Sequence, residues 1–99
     1  RSVRLLLSSG KSVTTKMVNI AEGGLAILYD APAKIGTVLG LEFTLATKRD
    51  IRDIKTKGVI AHCHLSGVKY YIGFEFVDLN EADAAFISSF IVYKQGMVK

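Results

Sequence analysis

The chain lacks most of the features that would mark a secreted, membrane-embedded or catalytic protein. Its single cysteine, Cys63, has no partner for an internal disulfide, which fits a reducing compartment and a cytoplasmic location. No apolar run approaches the roughly 20 residues that cross a bilayer. The first residues, Arg1-Ser2-Val3-Arg4, carry neither the apolar core nor the small-residue cleavage site of a signal peptide. There is no initiating Met, so the expected organisation is a fragment of a longer chain whose N-terminal lead-in is missing. Internal repeats, low-complexity tracts and a second domain are all absent, and residues 1–99 are expected to form one domain. A net charge of +4 favours anionic partners in a general way but falls short of the clustered basic face that a nucleic-acid polymer requires.

Catalytic constellations are missing as well. Gly23-Gly24 and the Gly36 to Gly40 segment match neither the dinucleotide fingerprint nor the Walker pattern, and both lie among strands instead of opening a helix. His62-Cys63-His64 is the one metal-like cluster. On a strand Cys63 points away from the two histidines, which share a face about 7 Å apart at Cα. They could hold zinc only with ligands from elsewhere. No nucleophile with a partnered base is evident, so the chain is not expected to be an enzyme, and metal and cofactor are expected to be none.

What is present is strand periodicity. Val3, Leu5 and Leu7 alternate with Arg4 and Ser8, and Ser9-Gly10 supplies a turn. Lys11 to Ile20 is rich in Val and Thr, with Val18 and Ile20 on one face and Asn19 and Ala21 on the other. Leu25 to Tyr29 is a short apolar strand closed by Asp30, Pro32 and Gly36. Leu39, Leu41, Phe43 and Leu45 then face inward, opposite Gly40, Glu42 and Thr44. Lys48 to Lys57 holds five basic and two acidic residues and reads as a solvated hairpin tip, with a phosphate-binding loop as the alternative. Val59, Ala61, Cys63 and Leu65 share one face and Ile60, His62 and His64 the other. After a Ser66-Gly67 turn, Tyr70, Ile72, Phe74 and Phe76 form the last inward row. Short connections require antiparallel neighbours, so the fold class is mainly β: an antiparallel meander or closed barrel of six strands.

Near the C-terminus the period changes to that of a helix. Asn80 is the expected N-cap, with Asp83 as its capping-box partner and Glu81 and Asp83 at the positive end of the helix dipole. Ala82, Phe86, Phe90 and Ile91 are expected to pack on the barrel, and Gly96 to stop the helix.

In this order of features the chain resembles the PilZ domain family: a six-stranded antiparallel barrel with a C-terminal helix that binds the bacterial second messenger cyclic di-GMP. The residues carrying the resemblance are Asn19-Ile20-Ala21-Glu22-Gly23-Gly24, followed by Leu25-Ala26-Ile27, "IGTVLGLEFTL" and "YYIGFEFVDLN". The family writes the first of these as (D/N)-x-S-x-x-G, so Ala21 stands where the family has serine. A preceding arginine motif, R-x-x-x-R, contacts phosphates and guanines; here Arg1 and Arg4 are three apart. Either Arg1 is the second arginine of a pair that begins upstream, or the pair is absent. The resemblance implies a nucleotide site at Arg1, Arg4, Asn19, Ala21 and Gly24, in which Asn19 faces a guanine edge, Gly24 permits the turn, and the family's hydroxyl is missing at Ala21. It further implies a non-enzymatic receptor that passes its signal to an attached domain or a protein partner. The alternative is a degenerate domain of the same fold that does not bind the ligand and works as a protein-interaction module.

Overall fold

The computed structural model describes residues 1–96. Six strands run in chain order: β1 (Ser2–Leu6), β2 (Ser12–Ala21), β3 (Gly24–Tyr29), β4 (Val38–Ala46), β5 (Ile51–Ser66) and β6 (Lys69–Val77). One helix, α1 (Glu81–Gly96), follows. The strands close into a barrel in the order β1-β2-β3-β6-β5-β4, every neighbouring pair antiparallel. Closure removes the free edges that an open sheet would expose.

Alternation along the strands fills the barrel. Val3, Leu5, Leu25, Ile27, Leu41, Phe43, Leu45, Ile54, Ile72 and Phe74 are all buried in one cluster, and Phe43 stacks with Phe76 at a centroid separation of 6.0 Å. Turn glycines sit where the sequence places them. Gly10 and Gly67 adopt φ of 88° and 65°, a region open to glycine because it lacks a Cβ.

Two β-bulges change the inward-facing set. In β2 the register shifts between Met17 and Asn19, leaving Val18 as the extra residue. Met17 is buried where Val18 was expected, and Val18 is exposed. In β5 the shift lies between Ile60 and His62 with Ala61 extra. Ile60 therefore points into the core, not out with His62 and His64, and Cys63 packs against the core from beyond the bulge. Leu65, expected on the inward face, is exposed.

The basic segment also differs from expectation. Thr47–Asp50 alone make the turn, held by a Thr47 N–H to Asp50 carbonyl bond of 2.8 Å, and Ile51 to Lys57 belong to β5. Alternating charged residues there face solvent while Ile54 and Gly58 face inward, so strand periodicity prevails over charge density.

The helix is capped as expected. The Asp83 N–H donates to Asn80 Oδ1 at 2.7 Å, and Asn80 Nδ2 donates back to Asp83 Oδ2 at 3.0 Å. Its buried face is rotated from the expected one: Asp83, Ile87 and Phe90 are buried, whereas Ala82 is exposed. The reason is Arg52 on β5, whose Nε donates to Asp83 Oδ1 at 2.7 Å and draws the acidic residue inward. Because antiparallel strands reverse at every turn, one end of the barrel gathers Arg1, the β2–β3 turn and α1. The other gathers the β1–β2 turn, the long β3–β4 loop and the β5–β6 hairpin.

Candidate functional site

The candidate residues divide between two faces. Arg4 lies mid-strand in β1, opposite Glu42 of β4, and its Nη2 donates to Glu42 Oε1 at 2.7 Å. Around it are Arg1, Thr14, Thr44, Asp53 and Lys55. This is a mixed-charge surface in which the guanidinium already has a carboxylate partner.

Asn19, Ala21 and Gly24 occupy a different face, built by the bulges. Register across four strands sets Asn19 opposite Ala26, Ala26 opposite Gly73, and Gly73 opposite His62. These residues form one transverse row on the outer surface. Ala26 and Gly73 are buried although they face outward, because they are too small to rise between their neighbours. Asn19 and His62 are exposed at the two ends. The result is a shallow depression of about 530 Å³ with a flat, small-residue floor, also bordered by Ala21, Gly24 and Tyr71. The His62 ring lies beside the floor: a Cβ added to Gly73 would come within 3.1 Å of His62 Cδ2. Tyr71 stacks on His64 at 5.0 Å, giving that rim an aromatic wall. Glu75 supplies a negative charge at the opposite border.

Gly24 serves this face in a way the sequence did not suggest. Its backbone is not in the positive-φ region, so it is not needed for the turn angle. It is needed for close approach: a Cβ there would lie 1.9 Å from the Phe74 carbonyl oxygen. The absence of a side chain lets β3 pair with β6 at this point, and the adjacent Phe76 N–H donates to the Gly23 carbonyl at 2.9 Å.

Asn19 also borders a second depression, of about 390 Å³, shared with Arg1, Phe90, Ile91, Lys94 and Gln95. Arg1 is positioned twice over. Its carbonyl accepts from the Met17 N–H at 2.8 Å, and its guanidinium lies 4.6 Å from the Phe90 ring centroid. Stacking occupies the face of the guanidinium and leaves its N–H edges free for an anion. Lys94 lies on the same wall, 5.5 Å from the Phe90 ring. The structure thus brings Arg1 together with Asn19, and Asn19 with Ala21 and Gly24, while Arg4 shares a separate depression with Arg1 and stands apart from Asn19.

The turn between β2 and β3 touches the helix directly, since Ser88 donates its hydroxyl hydrogen to Glu22. Among the described residues no group of three or more His, Cys, Asp or Glu side chains converges as a metal site would need. His62, Ala26 and Gly73 were absent from the sequence-derived site. Gly73 did carry a signal, as the one outward residue without a side chain between Ile72 and Phe74.

The PilZ domain family model matches residues 2–92 of the chain. No curated protein sequence is significantly similar to it. Among solved structures, that of the Bacillus subtilis inhibitor of motility, MotI/DgrA, matches with a TM-score of 0.85 at 20% sequence identity. The match covers 95% of this chain and 46% of that one, so the chain spans less than half of that protein's length. At that identity the likeness is one of fold.

Proposed function

The chain belongs to the PilZ domain family, and we propose that it is a non-enzymatic receptor module for cyclic di-GMP, acting in the cytoplasm on an attached domain or a protein partner. The observation that carries this reading is the Asn19–Ala26–Gly73–His62 row beside Arg1. A planar purine can lie flat on a floor of alanine and glycine, and the Asn19 amide can meet both a donor and an acceptor on its edge. Arg1, its face already stacked on Phe90, supplies the fork of donors that suits a phosphate, and Lys94 adds positive charge. Ala21 withholds one hydroxyl, a loss of about 0.5–1.5 kcal/mol, or up to about tenfold in affinity.

Such a site has a route to its output. Arg1 rests on Phe90 and Glu22 is bonded to Ser88, so both sides of the bound ligand would bear on α1. The ligand would therefore alter how the helix is presented to a partner. The Bacillus neighbour is named an inhibitor of motility, which makes motility the first output to test.

A degenerate, ligand-free interaction module is the second reading. Arg4 paired to Glu42, Ala21 in place of serine, and Glu75 at the border favour it. Calorimetric titration of cyclic di-GMP into the full natural protein separates the two. The receptor reading expects saturable binding at micromolar concentration or tighter, abolished or strongly weakened by Asn19→Ala. No heat at millimolar ligand would leave the second reading in place.

A further inference from the structure

Strand β5 outruns both of its neighbours. It pairs with β4 from Ile51 to Val59 and with β6 from Lys57 to Ser66, so each of its ends has a partner on one side only. On the β4 side the last residue held is Ile60, whose carbonyl accepts from the Gly36 N–H at 2.8 Å and whose N–H donates to the Thr37 carbonyl at 2.9 Å. Beyond it, among the described residues, no backbone group bonds to residues 61–66 from that side, and the Ala33 N–H reaches the Cys63 sulfur alone. This stretch is a sheet edge in an otherwise closed barrel.

The hairpin turn fixes which groups face the edge. Ser66 and Lys69 flank the two-residue turn Gly67-Val68, and the closing pair of such a turn exchanges both its backbone bonds. Counting back from Ser66, His64 and His62 also bond toward β6. The N–H and C=O groups of Cys63 and Leu65 therefore point to the open side. Exposed edges are normally blunted by charge or proline. The other overhang of β5, Ile51 to Thr56, follows that rule with Arg52, Asp53 and Lys55. The open edge does not: Ala61-His62-Cys63-His64-Leu65-Ser66 holds no Lys, Arg, Asp, Glu or Pro. Apolar side chains stand exposed around it, Leu65 at 62% and Val68 at 92%, with Ile35 and Val38 beside Gly36 and Thr37.

We propose that this edge pairs with the same edge of a second copy of the chain, antiparallel about a two-fold axis at His64. That centre sets Cys63 of each copy opposite Leu65 of the other, each pair exchanging both its bonds, with His64 opposite itself. A centre at Cys63 or at Leu65 would leave the remaining residue facing Ala61 or Gly67, and satisfy fewer groups. A second copy carries the same net charge of +4, so strand can meet strand only where charged side chains are absent, as they are here. The same register brings each Gly67-Val68 turn to the level of the other copy's Ile60, where Ile35 and Val38 flank the bonded Gly36 and Thr37. Ile35, Val38, Leu65 and Val68 are thereby gathered at one contact. The pairing does not depend on the nucleotide reading.

Sedimentation equilibrium on the full natural protein tests this. An interface this short falls below about 1,200 Å² in total, so a monomer–dimer equilibrium with Kd of roughly 10–500 μM is expected. Leu65→Pro removes a donor that β6 does not use, at an edge where proline is tolerated, and should weaken the dimer at least about tenfold. Oxidative cross-linking reads the register separately, on a Cys63→Ala background. His64→Cys should form a disulfide-linked dimer, because opposed residues of a non-bonded pair lie about 4.5 Å apart at Cα, within disulfide reach. His62→Cys should not, since the two-fold axis separates its copies by about 14 Å along the strands. If Leu65→Pro does not fold, the two cysteine variants decide alone. A monomer up to about 1 mM, a dimer of undiminished affinity in Leu65→Pro, or cross-linking of His62→Cys as readily as His64→Cys would overturn the proposal.

Discussion

Replacing Gly24 with alanine tests whether this residue acts through backbone approach. The new Cβ would lie 1.9 Å from the Phe74 carbonyl oxygen and 2.9 Å from its carbon, where contacts below 3.0 Å are essentially never seen. Neither atom belongs to a side chain that could rotate away, so β3 and β6 must separate by about 1 Å. That movement strains the Gly24–Glu75 pairing and the 2.9 Å bond from Phe76 N–H to the Gly23 carbonyl. One or two weakened hydrogen bonds cost about 0.5–1.5 kcal/mol each, and overpacking adds about 1–3 kcal/mol. The smaller unfolded-state entropy of alanine returns about 0.4–1 kcal/mol. The net expectation is a loss of about 2–4 kcal/mol. For a domain of this size that lowers Tm by about 10–25 °C. Urea denaturation should show a lower midpoint at unchanged slope. Gly23→Ala is the control: nothing lies within 4 Å of its Cβ position and its φ is not positive, so stability should stay within about 0.5 kcal/mol. If Gly24→Ala were as stable as the native protein, or if Gly23→Ala cost as much, the close-approach argument would be wrong. Reduced ligand affinity in Gly24→Ala should then be read as a displaced strand, not a lost contact.

Other expectations follow from the same geometry. Arg1→Ala should weaken cyclic di-GMP binding about tenfold to a hundredfold, the size of one charge-assisted contact, whereas Arg4→Ala should change it less than about threefold; titration calorimetry compares them. Ala21→Ser should tighten binding by up to about tenfold, and unchanged or weaker binding would show that the hydroxyl position is misassigned. Asp83→Ala removes a buried carboxylate that joins Arg52 to the Asn80 cap. Because Arg52 is 40% exposed and water can reach it, the loss should be about 1–3 kcal/mol, below that of a fully buried pair, as read by urea denaturation. Ser88→Ala should leave cyclic di-GMP affinity within about twofold while reducing ligand-dependent changes in hydrogen exchange along α1; an unaltered exchange response would remove Glu22–Ser88 from the signal route.

Strand number, antiparallel pairing and the capped helix were legible because each rests on a local pattern: period two, Ser-Gly turns, and Asn80 three residues before Asp83. The helix face was not, because Ala82 and Asp83 were ranked by polarity, and only the fold reveals Arg52 waiting on β5. Gly24 was recognised but given the wrong physical reason, since a turn glycine and a close-approach glycine are the same letter in sequence. Asn19 was placed on the correct face. Its partners Ala26, Gly73 and His62 were not, because their adjacency depends on the order β2-β3-β6-β5, in which chain neighbours β3 and β4 are not sheet neighbours.

The two bulges are the least legible feature and the one on which the candidate site depends. Without Val18 as an extra residue, strict alternation after the buried Met17 would turn Asn19 into the core; without Ala61, alternation after Ile60 would do the same to His62. Burying either group unpaired would cost about 1–3 kcal/mol. An apolar residue at each position, with no bulge, would give a regular ladder and a filled core. The chain instead keeps two polar residues and two interruptions, in strands that flank the β3–β6 pair, and both fall on the same transverse row. Bulges bend strands and increase the twist that a small closed barrel needs, and these two do so at a level where they also leave Asn19 and His62 facing outward across Ala26 and Gly73.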